Sequence, residues 1–374
     1  MRAQAVRQAT PGVTDLSRAR VPIDLAVWYI AVGLGYPGGA FASKGWVVHP
    51  LKAYMSWVHV VYASRVNLKV FPTYNIFVKK IGDEPKIILN LNRFEFPTDL
   101  RVILPIGKFK RIIKTNSIDI KKISESQGIS TKVVYHYLNG KRNPKLSFIK
   151  KVVDENTVDI LLKTNKVKFG DGGNAATCIF PSYLNPKLAY LVGALRDGNI
   201  NCCGKYELSY TQKNQVWLKR LSKLILKTFN PSNKPRLIIR EKNTPKITIS
   251  NKPICEFLKI VFEIPIGDKE QWATPKIILD CPKEIQKYYI RGYFDADGIC
   301  GKHVGFCQIN LQSLKEIKKI LKKFNISCTN TISARKLKSG KMFYSLYIKK
   351  EHWNNFFKII GSSNPSKFTR FVQN

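Results

Sequence analysis

The feature of the sequence that most constrains the fold is an internal repeat over residues 183–374. The apolar stretch YLVGALRDG at 190–198 ends in Asp-Gly, and so does YIRGYFDADG at 289–298. Further landmarks recur in the same order: Gln212 and Gln308, Phe-Asn at 229–230 and 324–325, FLKIV at 257–261 and FFKII at 356–360. Because both copies must form the same elements, the repeat limits the architectures available to the chain.

The hydrophobic pattern of each copy predicts a helix, strands at 206–212 or 305–310, a second helix, two more strands near 246–249 or 343–348, and a closing helix. This order indicates an α+β fold with a curved antiparallel sheet in each copy.

The two Asp-Gly helix ends predict a place where two carboxylates meet. Small residues spaced four apart would let the two helices approach closely; they are Ala189 with Gly193 and Gly292 with Ala296. Such packing brings Asp197 and Asp297 together, where the helix dipole and their mutual repulsion disfavour both charges. A divalent cation between them would remove that cost and suit phosphodiester hydrolysis.

The charge of the chain favours a polyanionic partner. Lys and Arg number 63 against 25 Asp and Glu, which gives a net charge of +38 spread over nearly the whole sequence. Nucleic acid is the preferred partner, and the alternative interpretations of the charge are that the chain is a basic ribosome-type protein or a protein that binds membrane surfaces.

The cysteines and the apolar run bear on where the protein is found. Eight cysteines without CxxC spacing indicate reduced thiols, and the apolar run 25–35 is too short to span a bilayer. These features predict a soluble, cytoplasmic protein, or an organellar one if it is organelle-encoded.

The composition changes near residue 68. Residues 1–67 are rich in Ala, Gly, Val and Arg with only two lysines, whereas Lys, Ile, Asn and Phe dominate afterwards. We interpret residues 1–67 as a reading frame that continues in from flanking sequence or as a poorly structured extension, with a genuine N-terminal domain as the alternative. Residues 68–112 contain short strand-like runs and no chemical signature.

Residues 113–165 show helical periodicity interrupted at Gly128, with Ser130 as a candidate N-cap for the next helix. The stretch ISESQGISTKVVYHYLNGKRNP at 123–144 resembles phage-repressor-type helix-turn-helix domains. The resemblance implies a small all-α DNA-binding domain whose second helix enters the major groove. It would direct Thr131, Lys132, Tyr135 and His136 at bases, and Lys141 and Arg142 at phosphates.

At residues 180–370 the chain resembles the two-repeat, single-chain LAGLIDADG homing endonucleases, most closely over 290–298. The resemblance implies two pseudo-symmetric αββαββα repeats, at 180–274 and 275–374, that form a saddle over double-stranded DNA and cut both strands across the minor groove. It assigns metal binding to Asp197 and Asp297 with Gly198 and Gly298, and it implies Mg²⁺, which Mn²⁺ can replace.

The same resemblance assigns supporting roles less directly. Gln212 and Gln308 would position solvent near the metals, and Lys269 and Lys367 would stabilise charge that develops on the phosphate. Asp295 would orient the helix end. Basic residues on the DNA side of the repeats would include Lys213, Arg240, Lys246, Arg335 and Lys338.

The first copy departs from the family pattern in one respect. Gly193 lies four residues before its aspartate, whereas Gly292 lies five before Asp297, so we expect the helix contact to be shifted by one position. The function predicted is a monomeric homing endonuclease without membrane attachment. The alternatives are a DNA-binding regulator or intron RNA maturase that has lost cutting. An intein is disfavoured, because the chain opens with Met1-Arg2 and lacks a terminal His-Asn.

Overall fold

The computed structural model describes residues 61–63, 66–68, 70–71, 76–81, 84–173, 175–202, 204–240, 243–266 and 271–372. Most of the segment 1–67, including the apolar run 25–35, lies outside the described residues, and so does Lys269. Within the described part, no helix is long and apolar enough to cross a membrane.

The N-terminal part forms short strands, namely β1 (Val61–Ala63), β2 (Val66–Leu68), β3 (Val70–Phe71), β4 (Ile76–Ile81), β5 (Glu84–Ile88) and β6 (Leu100–Val102). β1 pairs antiparallel with β2, and β4 pairs antiparallel with both β3 and β5. A single 3₁₀ turn, Leu91–Arg93, separates β5 from β6.

Five helices follow, α1 (Lys108–Thr115), α2 (Ile120–Ser126), α3 (Thr131–Leu138), α4 (Leu146–Val152) and α5 (Glu155–Thr164). The domain boundary predicted between residues 112 and 113 is wrong, because it falls inside α1. Gly128, with φ +57°, makes the turn between α2 and α3. Ser130 occupies the N-cap position of α3 with extended backbone, but its hydroxyl makes no capping hydrogen bond.

The helical part is joined to the rest of the molecule by strands and aromatic rings. β6 pairs with β7 (Lys166–Phe169), β7 pairs with β8 (Thr177–Ile179), and β9 (Tyr183–Leu184) pairs with β5. The ring of Phe180 lies 4.9 Å from Phe96 and 5.1 Å from Phe257, centroid to centroid. These buried contacts attach the N-terminal part to the first repeat.

The first repeat consists of α6 (Pro186–Ala194), β10 (Gly198–Asn201), β11 (Glu207–Thr211), α7 (Gln215–Phe229), β12 (Arg236–Arg240), β13 (Asn243–Ser250) and α8 (Lys252–Val261). The short helix α9 (Lys276–Leu279) leads into the second. That repeat consists of α10 (Lys283–Asp297), β14 (Gly298–Ile299), β15 (Gly305–Gln308), α11 (Leu311–Lys322), β16 (Ser333–Lys336), β17 (Met342–Tyr347), α12 (Trp353–Ile359) and α13 (Pro365–Val372).

The two sheets have the same antiparallel topology, β10-β11-β13-β12 and β14-β15-β17-β16. Their registers also correspond, since Gly198 pairs with Tyr210 and Gly298 with Phe306. The predicted α+β class with an antiparallel sheet in each copy is therefore confirmed.

The helices α6 and α10 pack together through two glycines. A Cβ added to Gly193 would lie 2.9 Å from the Tyr293 nitrogen, and one added to Gly292 would lie 2.9 Å from the Ala194 nitrogen. The contact is reciprocal and centred on equivalent positions, so the expected shift by one position is wrong.

The first copy has one residue fewer between its glycine and its aspartate, and the backbone compensates for this difference after the helix contact. Leu195–Asp197 forms a 3₁₀ turn, whereas α10 stays α-helical to Asp297. A 3₁₀ turn rises more per residue, so the axial distance from glycine to aspartate comes to about 7.5 Å in both copies. The two aspartates therefore end at matching heights despite the different spacing.

Candidate metal and DNA-cleavage site

The ends of the two central helices place both aspartates at the same edge of the molecule. Asp197 closes the 3₁₀ turn and Asp297 is the last residue of α10; both are half-buried. The glycines that follow start the first strand of each sheet, where a side chain would collide with backbone. A Cβ at Gly198 would lie 2.7 Å from the Ser209 carbonyl oxygen, and one at Gly298 would lie 2.8 Å from the Phe294 Cα.

Gln212 connects the two motifs directly. Its Nε2 donates to Asp197 Oδ2 at 3.1 Å and to the carbonyl oxygen of Ala296, the residue before Asp297, at 3.0 Å. Its Oε1 accepts a hydrogen bond from the Lys213 backbone at 2.9 Å, and the buried Gln308 receives the same bond from Ile309 at 2.9 Å. The structure thus brings the first glutamine and both helix ends together.

Lys367 enters this site from α13. It is buried, with 8% of its surface exposed, and its Nζ donates to the Gly298 carbonyl oxygen. Burial lowers the pKa of Lys367, while the nearby carboxylates, Asp297 above all, favour the charged form. In this structure the lysine supplies positive charge close to both aspartates, Asp197 included.

The oxygen donors suit a hard divalent cation. Among the described residues, no three His, Cys, Asp or Glu side chains form a metal-binding group. A cation at this edge would be held by the carboxylates of Asp197 and Asp297 together with backbone carbonyl oxygens such as those of Gly198 and Gly298. Carboxylate and carbonyl oxygens are the ligands that Mg²⁺ and Mn²⁺ prefer, so this set fits such an ion. The Lys367 ammonium would have to leave the Gly298 carbonyl for that oxygen to bind metal.

The sheet of the first repeat has one apolar and one polar face. Leu208 and Tyr210 of β11 are buried beneath the sheet, whereas the alternate residues Glu207, Ser209 and Thr211 are half-buried on the opposite face. Across the ladder, Ser209 pairs with Thr248 and Thr211 with Lys246. The open face is therefore polar and of the kind that can meet a nucleic acid.

The predicted basic contacts lie on the sheets of the two repeats or beside them. Lys213 and Lys338 are exposed, and the half-exposed Lys246 lies 3.8 Å from Glu207 Oε1 through its Nζ. In β16, which is exposed along its length, the Arg335 guanidinium lies 4.9 Å from the Phe343 ring centroid. Arg240 lies at the end of β12, where the register with β13 shifts, and its side chain is outside the described part.

The helix α3 presents most of the predicted base-reading residues to solvent. Thr131, Lys132 and Tyr135 are exposed and His136 is half-buried. Lys141 and Arg142, in the loop after α3, are also exposed. These side chains lie along one helix and its exit loop, while Val134 and Leu138 face the core.

Two groups near the site, the buried Arg196 and the half-buried Cys307, were not assigned any role from the sequence. Arg196, next to Asp197, is 2% exposed and lies 4.7 Å from the Trp272 ring. Cys307, on β15, has its Sγ 3.7 Å from the Asp297 carbonyl oxygen, and burial with the nearby Asp297 raises its pKa to about 12. A charge inside an otherwise apolar stretch of sequence is the one signal that could have drawn attention to Arg196.

Two helices that meet at glycines, two equivalent sheets and a carboxylate at each helix end define a LAGLIDADG-type protein. The family described as "LAGLIDADG-like domain" has a sequence model that matches residues 284–361. Homing endonuclease I-ApeI of Aeropyrum pernix is 30% identical over 153 residues, which cover 38% of this chain and 68% of that protein. The chain belongs to the LAGLIDADG homing endonuclease family.

Solved structures of low identity were also found. I-DmoI in complex with DNA and Mn is 20% identical, with a TM-score of 0.38 over 48% of this chain and 97% of that one. I-WcaI bound to its DNA recognition sequence is 14% identical, with a TM-score of 0.35 over 50% of this chain and 85% of that one.

Proposed function

We propose that the protein is a site-specific endonuclease that hydrolyses one phosphodiester bond in each strand of a long, asymmetric DNA duplex, with Mg²⁺ or, in its place, Mn²⁺. The observation that carries this proposal is the shared donor Gln212 between Asp197 and the end of α10. It joins the half-buried Asp197 carboxylate to the backbone carbonyl just before Asp297, at the interface between the repeats. Both repeats lie in one chain, so a monomer contains the whole site.

The residues around the site take complementary roles in this reaction. Asp197 and Asp297, with the Gly198 and Gly298 carbonyls, hold the cation. The cation, when bound, lowers the pKa of attacking water and neutralises charge on the phosphate. Gln212 orients solvent from the amide group that also contacts Asp197, and the buried Gln308 is its counterpart in the second repeat.

Lys367 stabilises negative charge on the phosphate as the bond to the leaving oxygen breaks. Its ammonium lies inside the site at the Gly298 carbonyl, and it moves from that oxygen to a neighbouring phosphate oxygen when the cation takes its place. Lys269 takes the same role for the first repeat.

DNA binds along the open faces of the two sheets, which act as the saddle. The basic residues of these faces and their borders contact phosphates and bases; they are Lys213, Arg240, Lys246, Arg335 and Lys338. The net charge of +38 supplies the nonspecific attraction.

The helices of residues 113–165 form a helix-turn-helix unit that extends the grip on the target. Its exposed α3 residues Thr131, Lys132 and Tyr135, with His136, enter the major groove, and Lys141 and Arg142 neutralise phosphates.

Residues 1–67 are not needed for cutting, and deleting them leaves cleavage intact. Loss of a folded, active product on that deletion would refute this part of the proposal.

The test is metal-dependent cleavage of a duplex that carries the uninterrupted sequence on either side of the gene. Wild-type protein with Mg²⁺ is expected to cut both strands, and Asp297→Asn is expected to bind the duplex with similar affinity and not to cut. Glu351→Gln is the matched control, because this carboxylate is 65% exposed in the second repeat away from the site. Tight binding of DNA or intron RNA by wild-type protein, without nicking in any divalent metal, would instead indicate a regulator or a maturase.

A further inference from the structure

We propose that Asp295 and its buried partners form a latch that positions Lys367 for cleavage of one strand of the target. The inference rests on the proposed function. It assigns Asp295 a positioning role towards a specific side chain, beyond orientation of its own helix end.

The carboxylate of Asp295 is fully buried and its hydrogen bonds run to the tail of the second repeat. Oδ1 accepts from the Ser362 hydroxyl, and Oδ2 accepts from the Ser363 amide at 2.8 Å. The Asp295 carbonyl oxygen accepts from Asn364 Nδ2 at 3.0 Å. These three consecutive residues lead directly into α13, and Lys367 lies in its first turn.

The same tail is also attached to the first repeat. Tyr190, on α6, donates its hydroxyl to Asp295 Oδ2 at 2.6 Å. Arg220 donates to the Ser363 carbonyl oxygen at 2.8 Å, and Asn214 donates to the Ser366 hydroxyl at 2.7 Å. The latch therefore spans both central helices and α7.

The first repeat contains an equivalent latch of opposite charge. Arg196 lies three residues after Gly193, as Asp295 lies three after Gly292. Arg196 donates to the carbonyl oxygens of Trp272 and Ala273, and to the Tyr289 hydroxyl at 2.8 Å. Tyr289 and Tyr190 each lie three residues before their glycine, so the two tyrosines correspond as well.

The contacts that α7 and α11 make with the two tails are also of opposite charge in the two latches. Glu316 of α11 accepts from the Thr274 amide at 2.8 Å, at the position where α7 carries Arg220. The tail of the first repeat is held at its carbonyl oxygens by the buried cation Arg196 and at an amide by the carboxylate of Glu316. The tail of the second repeat is held at an amide by the buried anion Asp295 and at a carbonyl oxygen by the cation Arg220.

A buried carboxylate is costly unless its oxygens are satisfied, and here the tail and Tyr190 supply the donors. Asp295 is shielded from DNA, and the tail that it fixes leads into α13, which carries Lys367, so its effect on Lys367 passes through that tail. Because each latch holds only the tail of its own repeat, releasing Asp295 frees Lys367 and leaves the Arg196 latch in place. We therefore expect a strand-selective defect.

The latch can first be tested without DNA. Lys367 in wild-type protein should resist an amine-labelling reagent, because its amine is buried at the Gly298 carbonyl. Asp295→Ala should raise its labelling rate at least tenfold, as read by peptide mass spectrometry, while the exposed Lys338 stays unchanged. Tyr190→Phe, which loosens the helix interface without removing the tail donors, should leave Lys367 protected. Equal protection of Lys367 in Asp295→Ala and wild type would overturn the latch.

The second test measures cleavage of the two strands separately, under single-turnover conditions, on the flanking-sequence duplex with a different dye on each strand. Asp295→Ala should slow one strand about 100-fold, as a displaced catalytic group does, and Lys367→Met should slow the same strand. The double variant should be no slower than Lys367→Met, because both changes remove one contribution. Asp295→Asn should restore most of the rate, because its amide can still accept from the Ser363 amide and bond Ser362.

The outcomes distinguish a failure of the positioning role of Asp295 from a failure of the proposed function. Equal slowing of both strands by Asp295→Ala, or additive effects in the double variant, would overturn the positioning role and leave the proposed function standing. A wild-type protein that cuts neither strand would refute the proposed function and this inference with it.

Discussion

Replacing Gly193 with alanine should force the two central helices apart. The new Cβ would lie 2.9 Å from the Tyr293 nitrogen and closer still to the Tyr289 carbonyl oxygen. Both atoms belong to the backbone of α10, so no side-chain rotation relieves the overlap. Ordinary contact distances return only if the helix axes separate by about 1 Å, which a close-packed interior resists.

The expected magnitude follows from two opposing effects. Alanine is favoured over glycine within a helix by about 1 kcal/mol. Overpacking a core costs about 1–3 kcal/mol and sometimes more, and rigid backbone on both sides of this contact places it at the upper end. We expect a net loss of about 2 kcal/mol in the free energy of unfolding. Because Asp197 moves relative to Asp297, cleavage should also fall by about 100-fold.

Urea unfolding and single-turnover cleavage measure the two effects. Gly292→Ala should match Gly193→Ala, since its Cβ meets the Ala194 nitrogen at the same 2.9 Å. The double variant should lose less than the two single losses together, because one methyl group already opens the interface. Gly173→Ala, where a Cβ meets nothing within 4 Å, is the control. A Gly193→Ala protein as stable and active as wild type would refute the packing argument.

Three further outcomes are expected. Asp154 caps α5, and hydrogen bonds from the Thr157 hydroxyl and amide lower its pKa below the ordinary 3.8. Its stabilisation is present above the unfolded-state pKa and lost as the pH falls through the folded-state pKa. Asp154→Ala should therefore cost about 1 kcal/mol near neutral pH and approach wild type in acid, measured by urea unfolding. Arg335→Ala should reduce the slope of log affinity against log salt by about 0.9 if it contacts one phosphate, measured by fluorescence anisotropy. Tyr135→Ala should weaken DNA binding without changing the single-turnover cleavage rate at saturating protein.

The element order of the second half could be predicted because each copy repeats the same landmarks. The glycine contact also followed from the sequence, since small residues at helical spacing leave room for a second backbone. Gly193 and Gly292 take those places. The capping of α3 was predicted less well: Ser130 is at the right position, but its hydroxyl does not bond to the helix.

The placement of Lys367 and the two latches was beyond sequence reasoning. Asp295 bonds to residues 67 or more positions away, and Arg196 to carbonyl oxygens 76 and 77 positions away. No local periodicity records such contacts, and backbone carbonyls and amides carry no residue-type signal. Contacts with DNA stay predictions, because they depend on a partner whose shape the chain alone does not specify.

The first copy has one residue fewer between glycine and aspartate than the second. This difference explains why the spacing in sequence gave a wrong expectation for the helix contact. Spacing in sequence becomes distance only through the helix type, and the 3₁₀ turn Leu195–Asp197 restores the height that α10 reaches with one residue more. The direction is not restored, because the 3₁₀ route accumulates about 40° less rotation than the α-helical one. With these ideal helix parameters, Asp197 and Asp297 reach the same level but leave their helices at different angles. The pseudo-symmetry of the site is therefore one of position rather than of orientation, and the oppositely charged latches behind it add a second difference between the two halves.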